Sequence, residues 1–279
     1  MPAAQLSSKF RQMPHKFAFL IVFLLASLRL VAVTVPSLRT LVNRLSQWTI
    51  ALRVQDGQEI LVRPFSDDPL IVKEVYIQEC YDQVYPIEEG DVVVDVGAHI
   101  GIFAAKAAYQ IGSRGIVLAI EPEPRNYRLL QENIHRNSLQ NVITLNRAAS
   151  DTSGVRPLQV LEGGRTAGHS IAPSHTNLRA RQFDDSKFVG VRCDTLDNMI
   201  AEQGLRKVDL IKIDVEGHEP NVMRGAASTI ARFCPKIIVE SKPGSARSAQ
   251  TAEILAGYGY RVVGLAPFPS LLFAKPSDS

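Results

Sequence analysis

The stretch that most constrains the fold is Asp91-Val92-Val93-Val94-Asp95-Val96-Gly97-Ala98-His99-Ile100-Gly101. A valine-rich run ends in an acid and a glycine, a second glycine follows four positions on, and a helix-like stretch runs from Ile102 to Ile111. A continuous apolar run bounded by turn residues suits a strand buried on both faces, as in a parallel sheet. Gly97 permits a tight turn at the strand's end, and Gly101 lets a helix start against the sheet or a ligand come close. In open α/β sheets the crevice outside the carboxyl end of such a strand binds ligands.

The spacing is not that of a dinucleotide site, whose last two glycines stand three apart. Here they are four apart, and Asp95 occupies the position of the first glycine. A carboxylate there repels a pyrophosphate but can hold a cationic or hydroxyl-bearing ligand. S-adenosylmethionine, with its ammonium, sulfonium and ribose, fits that description, and the pattern D-x-G-A-x-x-G resembles the first motif of class I methyltransferases. A tight turn without a ligand is the plainer alternative.

The rest of the chain supports a doubly wound sheet. Ile116 to Glu121, Val142 to Asn146, Val208 to Val215 and Lys236 to Glu240 read as strands. Helices are expected over Pro124 to Asn137, Asp194 to Gln203, Pro220 to Arg232 and Ala249 to Tyr258. Tyr260 to Leu265 and Leu271 to Lys275 close as a C-terminal antiparallel hairpin. Alternation of this kind gives a mostly parallel sheet with right-handed crossovers. Between Ser150 and Phe188 the regularity breaks into glycine-bearing loops, with a strand pair returning at Phe188 to Cys193. Upstream, Asp56-Gly57 marks the turn of a hairpin between Thr49 to Val54 and Glu59 to Arg63. A helix near Pro69 extends that prelude toward Asp82 and could cover the cleft. The expected organisation is an N-terminal segment over 1–48, the hairpin and helix prelude over 49–90, and the main domain over 91–279.

The net charge of +3 is too small to argue for a nucleic-acid partner, and it is unevenly placed. Residues 1–50 hold Lys9, Arg11, Lys16, Arg29, Arg39 and Arg44 with no acid, leaving 25 basic against 28 acidic residues in the remainder. Phe17 to Val35 is apolar enough to be a transmembrane or signal-anchor helix, an interfacial or packed helix, or a cleaved signal peptide. If it spans a membrane, a cytosolic cofactor requires the body to face the cytoplasm. Three separated cysteines without a C-x-x-C are those of a reducing, cytosolic-type compartment.

Chemistry concentrates at strand ends. Glu121 lies about 20 residues beyond the glycine turn, where an acid in Rossmann-like sheets accepts from both ribose hydroxyls. Glu121-Pro122 followed by Asn126 resembles the second methyltransferase motif, and Asn146 to Asp151 falls where such folds contact the adenine. Leu210 to Glu219 reads Leu-Ile-Lys-Ile-Asp-Val-Glu-Gly-His-Glu. Period-two alternation puts Lys212, Asp214 and Glu216 on one side, and the buried Lys212 is expected to pair with a carboxylate. A purely structural ion-pair network is the plainer alternative for this cluster.

Together with Thr195-Leu196-Asp197, Arg224-Gly225-Ala226 and Val239-Glu240, these motifs resemble the FkbM-type methyltransferases over roughly Val92 to Leu265. The resemblance implies a Rossmann-like class I methyltransferase fold, S-adenosylmethionine as donor, and a hydroxyl acceptor on a sugar, glycan or natural product. The expected cofactor residues are Asp95, Gly97, Ala98, His99, Gly101, Glu121, Asn126 and Asp214. An alcohol must lose its proton as the methyl arrives, so a base is needed, or a metal to acidify it. The base candidates are His218, Glu216 and Glu240, with His218 favoured, and a metal held by Asp214, Glu216 and His218 is the alternative. Gly168-His169-Ser170 is a candidate lining of the acceptor site. Two rivals share these residues. One is a nicotinamide-dependent oxidoreductase, opposed by the missing third glycine; the other is a membrane-attached binding protein without turnover.

Overall fold

A computed structural model of the chain describes residue 45 and residues 48–161, 166–171, 188–240, 244–264 and 271–276. The apolar segment 17–35 lies outside them; among the described residues no helix is long and apolar enough to cross a membrane.

The valine run is β3 (Val92–Val96), with all five residues buried. It is flanked by β4 (Ile116–Ile120), after helix α2 (Ile102–Ile111), and by β10 (Leu210–Ile213). Together with β5 (Val142–Leu145), β11 (Lys236–Glu240), β12 (Tyr260–Gly264) and β13 (Leu271–Pro276), they form a seven-stranded sheet ordered β12-β13-β11-β10-β3-β4-β5. Only β13 runs against the rest, because it pairs antiparallel with both β11 and β12. Val96 is in register with Ile213 on one side and Ile120 on the other, so three strands end at one level. The chain crosses the sheet at β3, which creates the switch-point crevice.

Helices cover both faces. α2 and α3 (Pro124–Arg136) pack on one, while α4 (Leu196–Glu202), α5 (Glu219–Arg224), α6 (Ala227–Phe233) and α7 (Ala246–Gly257) serve the other. The single helix expected over Pro220 to Arg232 is two. The break falls at Gly225 and Ala226, whose ψ angles near 0° leave the helical range, and Gly225 packs where a Cβ would overlap the Ser150 carbonyl oxygen. The Asp197 carboxylate then caps α6 by accepting the Ser228 and Thr229 N–H groups (2.9 and 2.7 Å). The irregular region forms a small second sheet of β6 (Ala148–Ala149), β7 (Gly154–Gln159), β8 (Ser170–Ile171) and β9 (Phe188–Asp194), more than the expected strand pair.

The prelude is β1 (Ile50–Arg53), β2 (Glu59–Val62) and α1 (Asp68–Val72). A π-helical turn, Lys73–Ile77, continues α1, and left-handed Glu79 (φ 49°) follows, so the helix stops short of Asp82. Leu52, Ile60, Val62 and Val72 join the core formed with α2 and α3. A two-stranded ribbon needs partners for its free edge, and Asn133 of α3 and Asn137 at its C-cap supply them. Asn133 Oδ1 accepts the Leu61 N–H (2.7 Å) and its Nδ2 donates to the Leu61 and Ile100 carbonyls (3.2 and 2.8 Å). Asn137 does the same for the N–H and C=O of Glu59 (2.8 and 2.9 Å). Side chains four apart on a helix and residues two apart on a strand both repeat at about 6–7 Å, so the two ladders match.

Asn133 is fully buried, and its replacement by alanine would leave three backbone groups unpaired. We expect Asn133→Ala to cost about 3 kcal/mol in urea unfolding and to expose the Leu61 amide to hydrogen exchange. Unchanged protection at Leu61 would refute this account of the edge.

Candidate functional site

The aligned ends of β3, β4 and β10 open onto a cleft of ≈ 230 Å³, lined among others by Gly97, Ala98, Glu121, Asp214, Glu216 and Glu240. Gly97 (φ 82°) is required because a Cβ would overlap the Asp214 carbonyl oxygen, so the exits of β3 and β10 nearly touch. Gly101 (φ 83°) precedes α2 and lies against Leu130 of α3, where a Cβ would overlap the Leu130 side chain. Both glycines thus answer to packing. Ala98 N–H and Gly97 N–H share the Ile120 carbonyl (3.0 Å each), which seats the turn on β4.

Glu121 is buried at the end of β4. Its carboxylate accepts the His99 N–H through Oε2 (2.8 Å) and the Glu123 N–H through Oε1 (2.9 Å). Burial pushes this carboxyl up to about 8 against the pull of those donors. Each oxygen keeps a lone pair, so a vicinal diol can still be accommodated. His99 contributes its backbone to this arrangement in a left-handed conformation (φ 54°). Burial, with help from Arg63, holds its ring neutral, down at about 3.

Asp95 and Lys212 lie side by side beneath the crevice, both buried. The ammonium stands 3.1 Å from Asp95 Oδ1 and 3.7 Å from Asp214 Oδ2, and donates to the Gly97 carbonyl at 3.4 Å. Neither Asp95 oxygen receives a well-aligned hydrogen bond among the described residues. Tyr81 and Phe103 meet edge to face at 4.9 Å, and the ammonium is 5.7 Å from each ring centroid. Burial opposes the charge on Lys212, but Asp95, Asp214 and Glu240 outweigh it and raise its pKa, which keeps the side chain cationic.

Beyond β10 the three base candidates separate. His218 is buried before α5 with Nε2 3.0 Å from Ser150 Oγ, and burial lowers it to about 4. Ser150 Oγ donates to Asp151 Oδ1 (3.1 Å), so the imidazole Nε2 carries the proton toward Ser150. Glu216 adopts a left-handed conformation (φ 51°) and its side chain is exposed at the mouth of the cleft. Partial burial and the nearby Asp214 and Glu219 carboxylates push it up to about 7. Glu240, at the end of β11, accepts from Tyr81 Oη at 3.4 Å and is raised by burial and by Asp214. No group of three or more His, Cys, Asp or Glu side chains among the described residues is placed to hold a metal ion.

Asn126 has both ends of its amide occupied. Oδ1 accepts from Arg63 (2.9 Å) and Nδ2 donates to the Thr166 carbonyl (3.0 Å), so it braces the cleft wall. Arg147, Ala148 and Ala149, within the expected adenine segment, line the cleft, as does His169 of the insertion. Ser170 Oγ donates to the Glu216 carbonyl (2.8 Å), which ties the insertion to the β10 turn. Sequence reasoning missed the prelude's contribution of Asp67, Glu74 and Tyr81 to the lining. The expected helix near Pro69, running toward Asp82 and able to cover the cleft, is the signal that points to them.

A family described as the methyltransferase FkbM domain matches residues 95–262. The methyltransferase sdnD of Sordaria araneosa is 28% identical over 69% of this chain and 82% of its own. The 31-O-demethyl-FK506 methyltransferase FkbM of Streptomyces tacrolimicus is 26% identical over 76% and 89%. The 2-O-methyltransferase NoeI of Sinorhizobium fredii is 28% identical over 50% and 59%.

Removing one partner from a buried ion pair strands the other. Lys212→Met should therefore destabilise the fold by about 3–5 kcal/mol in urea titration, with Asp95→Asn in the same chain restoring part of the loss. A double variant no more stable than Lys212→Met would contradict the pairing.

Proposed function

The chain belongs to the FkbM methyltransferases, and from that premise we propose an O-methyltransferase acting on a hydroxyl of a small molecule or glycan. S-adenosylmethionine is the donor used by this family, and the cleft suits it. The spare lone pairs of Glu121 match its ribose hydroxyls, and the carboxylates of Asp214, Glu216 and Glu240 favour its ammonium and sulfonium. When bound, it supplies an electrophilic methyl group with a neutral thioether as leaving group. Two relatives, the 31-O-demethyl-FK506 enzyme and the 2-O-methyltransferase, are named for oxygen chemistry, which supports a hydroxyl acceptor here.

In-line displacement depends chiefly on alignment and exclusion of water. Glu121 and the Gly97 turn would fix the donor, while Tyr81 and Phe103 form a dry wall above the charged base of the cleft. The acceptor's proton must leave as its oxygen attacks, and Glu216 is the group best matched to take it. The carrying observation is the left-handed backbone of Glu216 at the cleft, a strained conformation for a residue other than glycine. Its carboxyl, raised to about 7, is a far better base near neutrality than His218 at about 4. Glu240 and Asp214 would keep the Lys212 cation neutralised beneath it.

Calorimetric titration of the full chain should show micromolar binding of S-adenosylhomocysteine and none of NADH, with Glu121→Ala weakening the former by about tenfold or more. Absence of binding by the intact chain would sink the donor-site reading. A base must be unprotonated to act, so kcat/KM with a hydroxyl acceptor should climb with pH through about 7 and level off above it. Glu216→Gln should abolish that limb and lower kcat by about 100-fold or more. If the limb survives there and disappears in His218→Ala, the role belongs to His218.

A further inference from the structure

The family match begins at Asp95, yet the turn that presents Glu121 is held from outside it. Arg63 follows β2 and Asp68 begins α1, and both are buried, Asp68 completely. The Asp68 carboxylate accepts four hydrogen bonds: from Arg63 N–H (2.9 Å), Arg63 Nε (2.8 Å), Arg63 Nη2 (2.9 Å) and Thr166 Oγ1 (2.8 Å). That pairing fixes the guanidinium plane. Its Nη2 then donates to Asn126 Oδ1 at 2.9 Å and lies 3.3 Å from His99 Nε2. One planar fork therefore touches the prelude, the glycine turn and α3, and through Asp68 it reaches the insertion.

Nη2 has two hydrogens, given to Asp68 Oδ1 and Asn126 Oδ1, so at 3.3 Å His99 Nε2 takes at most a shared one, and the ring lies directly against the guanidinium cation. This matches the neutral ring, which Arg63 helps to maintain although Asp68 Oδ1 is only 3.5 Å away. His99 occupies a left-handed conformation (φ 54°) that few residues other than glycine adopt without compensation. Anchoring its ring stabilises that backbone, and the His99 N–H is one of the two donors that orient Glu121.

We infer that Arg63 is a positioning residue of the donor site, acting through His99 on Glu121, and that the hairpin prelude is part of the donor-binding unit. The inference rests on Glu121 holding the donor's ribose. A lysine could satisfy Asp68 but has no fork with which to face Asn126 and His99 at once.

The test is a double-mutant cycle on the full chain, titrated with S-adenosylhomocysteine at a temperature where circular dichroism shows every variant folded. Arg63→Met should raise Kd by about tenfold and Arg63→Lys by a smaller factor. Combined with Glu121→Gln, Arg63→Met should add less than its own factor, because both act on one contact. Should Arg63→Met not fold, Arg63→Lys completes the same cycle. An unchanged Kd in the single variants, or factors that simply multiply, would overturn the inference and leave Arg63 a structural residue. Failure of the unsubstituted chain to bind would instead defeat the donor-site reading, and the inference with it.

Discussion

A buried ammonium under a crevice of carboxylates is the constraint around which this structure is arranged. Lys212 is enclosed by Asp95, Asp214 and two aromatic rings, and without that cation the strand-end acids would repel one another in a poorly solvated space. Its position also couples the two strands that meet at the switch point. Lys212 comes from β10, its principal partner Asp95 from β3, and it donates to the Gly97 carbonyl as the chain leaves β3. The close approach of Gly97 to Asp214 is the steric counterpart of that electrostatic tie. One ion pair and one missing Cβ thus set the geometry of the cleft base.

The cleft walls come from segments with quite different roles in the sequence. The prelude supplies Tyr81, with the Arg63–Asp68 pair behind the lining, and the insertion supplies His169, with the Ser170 hydroxyl holding the Glu216 turn. These segments meet at Thr166, whose N–H is accepted by Asp67 and whose hydroxyl bonds Asp68. The sheet edge therefore offers the acceptor side a frame tied on two flanks, consistent with a reaction governed by alignment more than by covalent participation.

Much of this was legible in the sequence because it is local. The buried strand before Gly97, the acid ending β4, the strand order class and the pairing of Lys212 with a carboxylate all follow from short-range patterns. What escaped depends on tertiary approach. The glycine at 225 answers to the carbonyl of Ser150, 75 positions away in the chain. The commitment of the His218 ring to Ser150, at the start of the insertion, is one such contact, and burial lowers that imidazole to about 4. The bonds of the Asn126 amide to Arg63 and Thr166, 63 and 40 positions away, are another. No periodicity encodes such commitments.

The strand order carries a consequence for how the sheet is assembled. β13 follows β12 in sequence but lies between β12 and β11, so β12 has no neighbour in the sheet until β13 exists. During synthesis, β11 leaves an open, apolar edge while some thirty further residues emerge, and insertion of residues 271–276 is the step that closes it. The half of the sheet that carries β10 and Glu240 is therefore completed late, by a strand that adds to the β11 edge and brings β12 with it. That ordering makes the nascent protein most dependent on protection from edge-to-edge association just before the cleft beside β10 is finished.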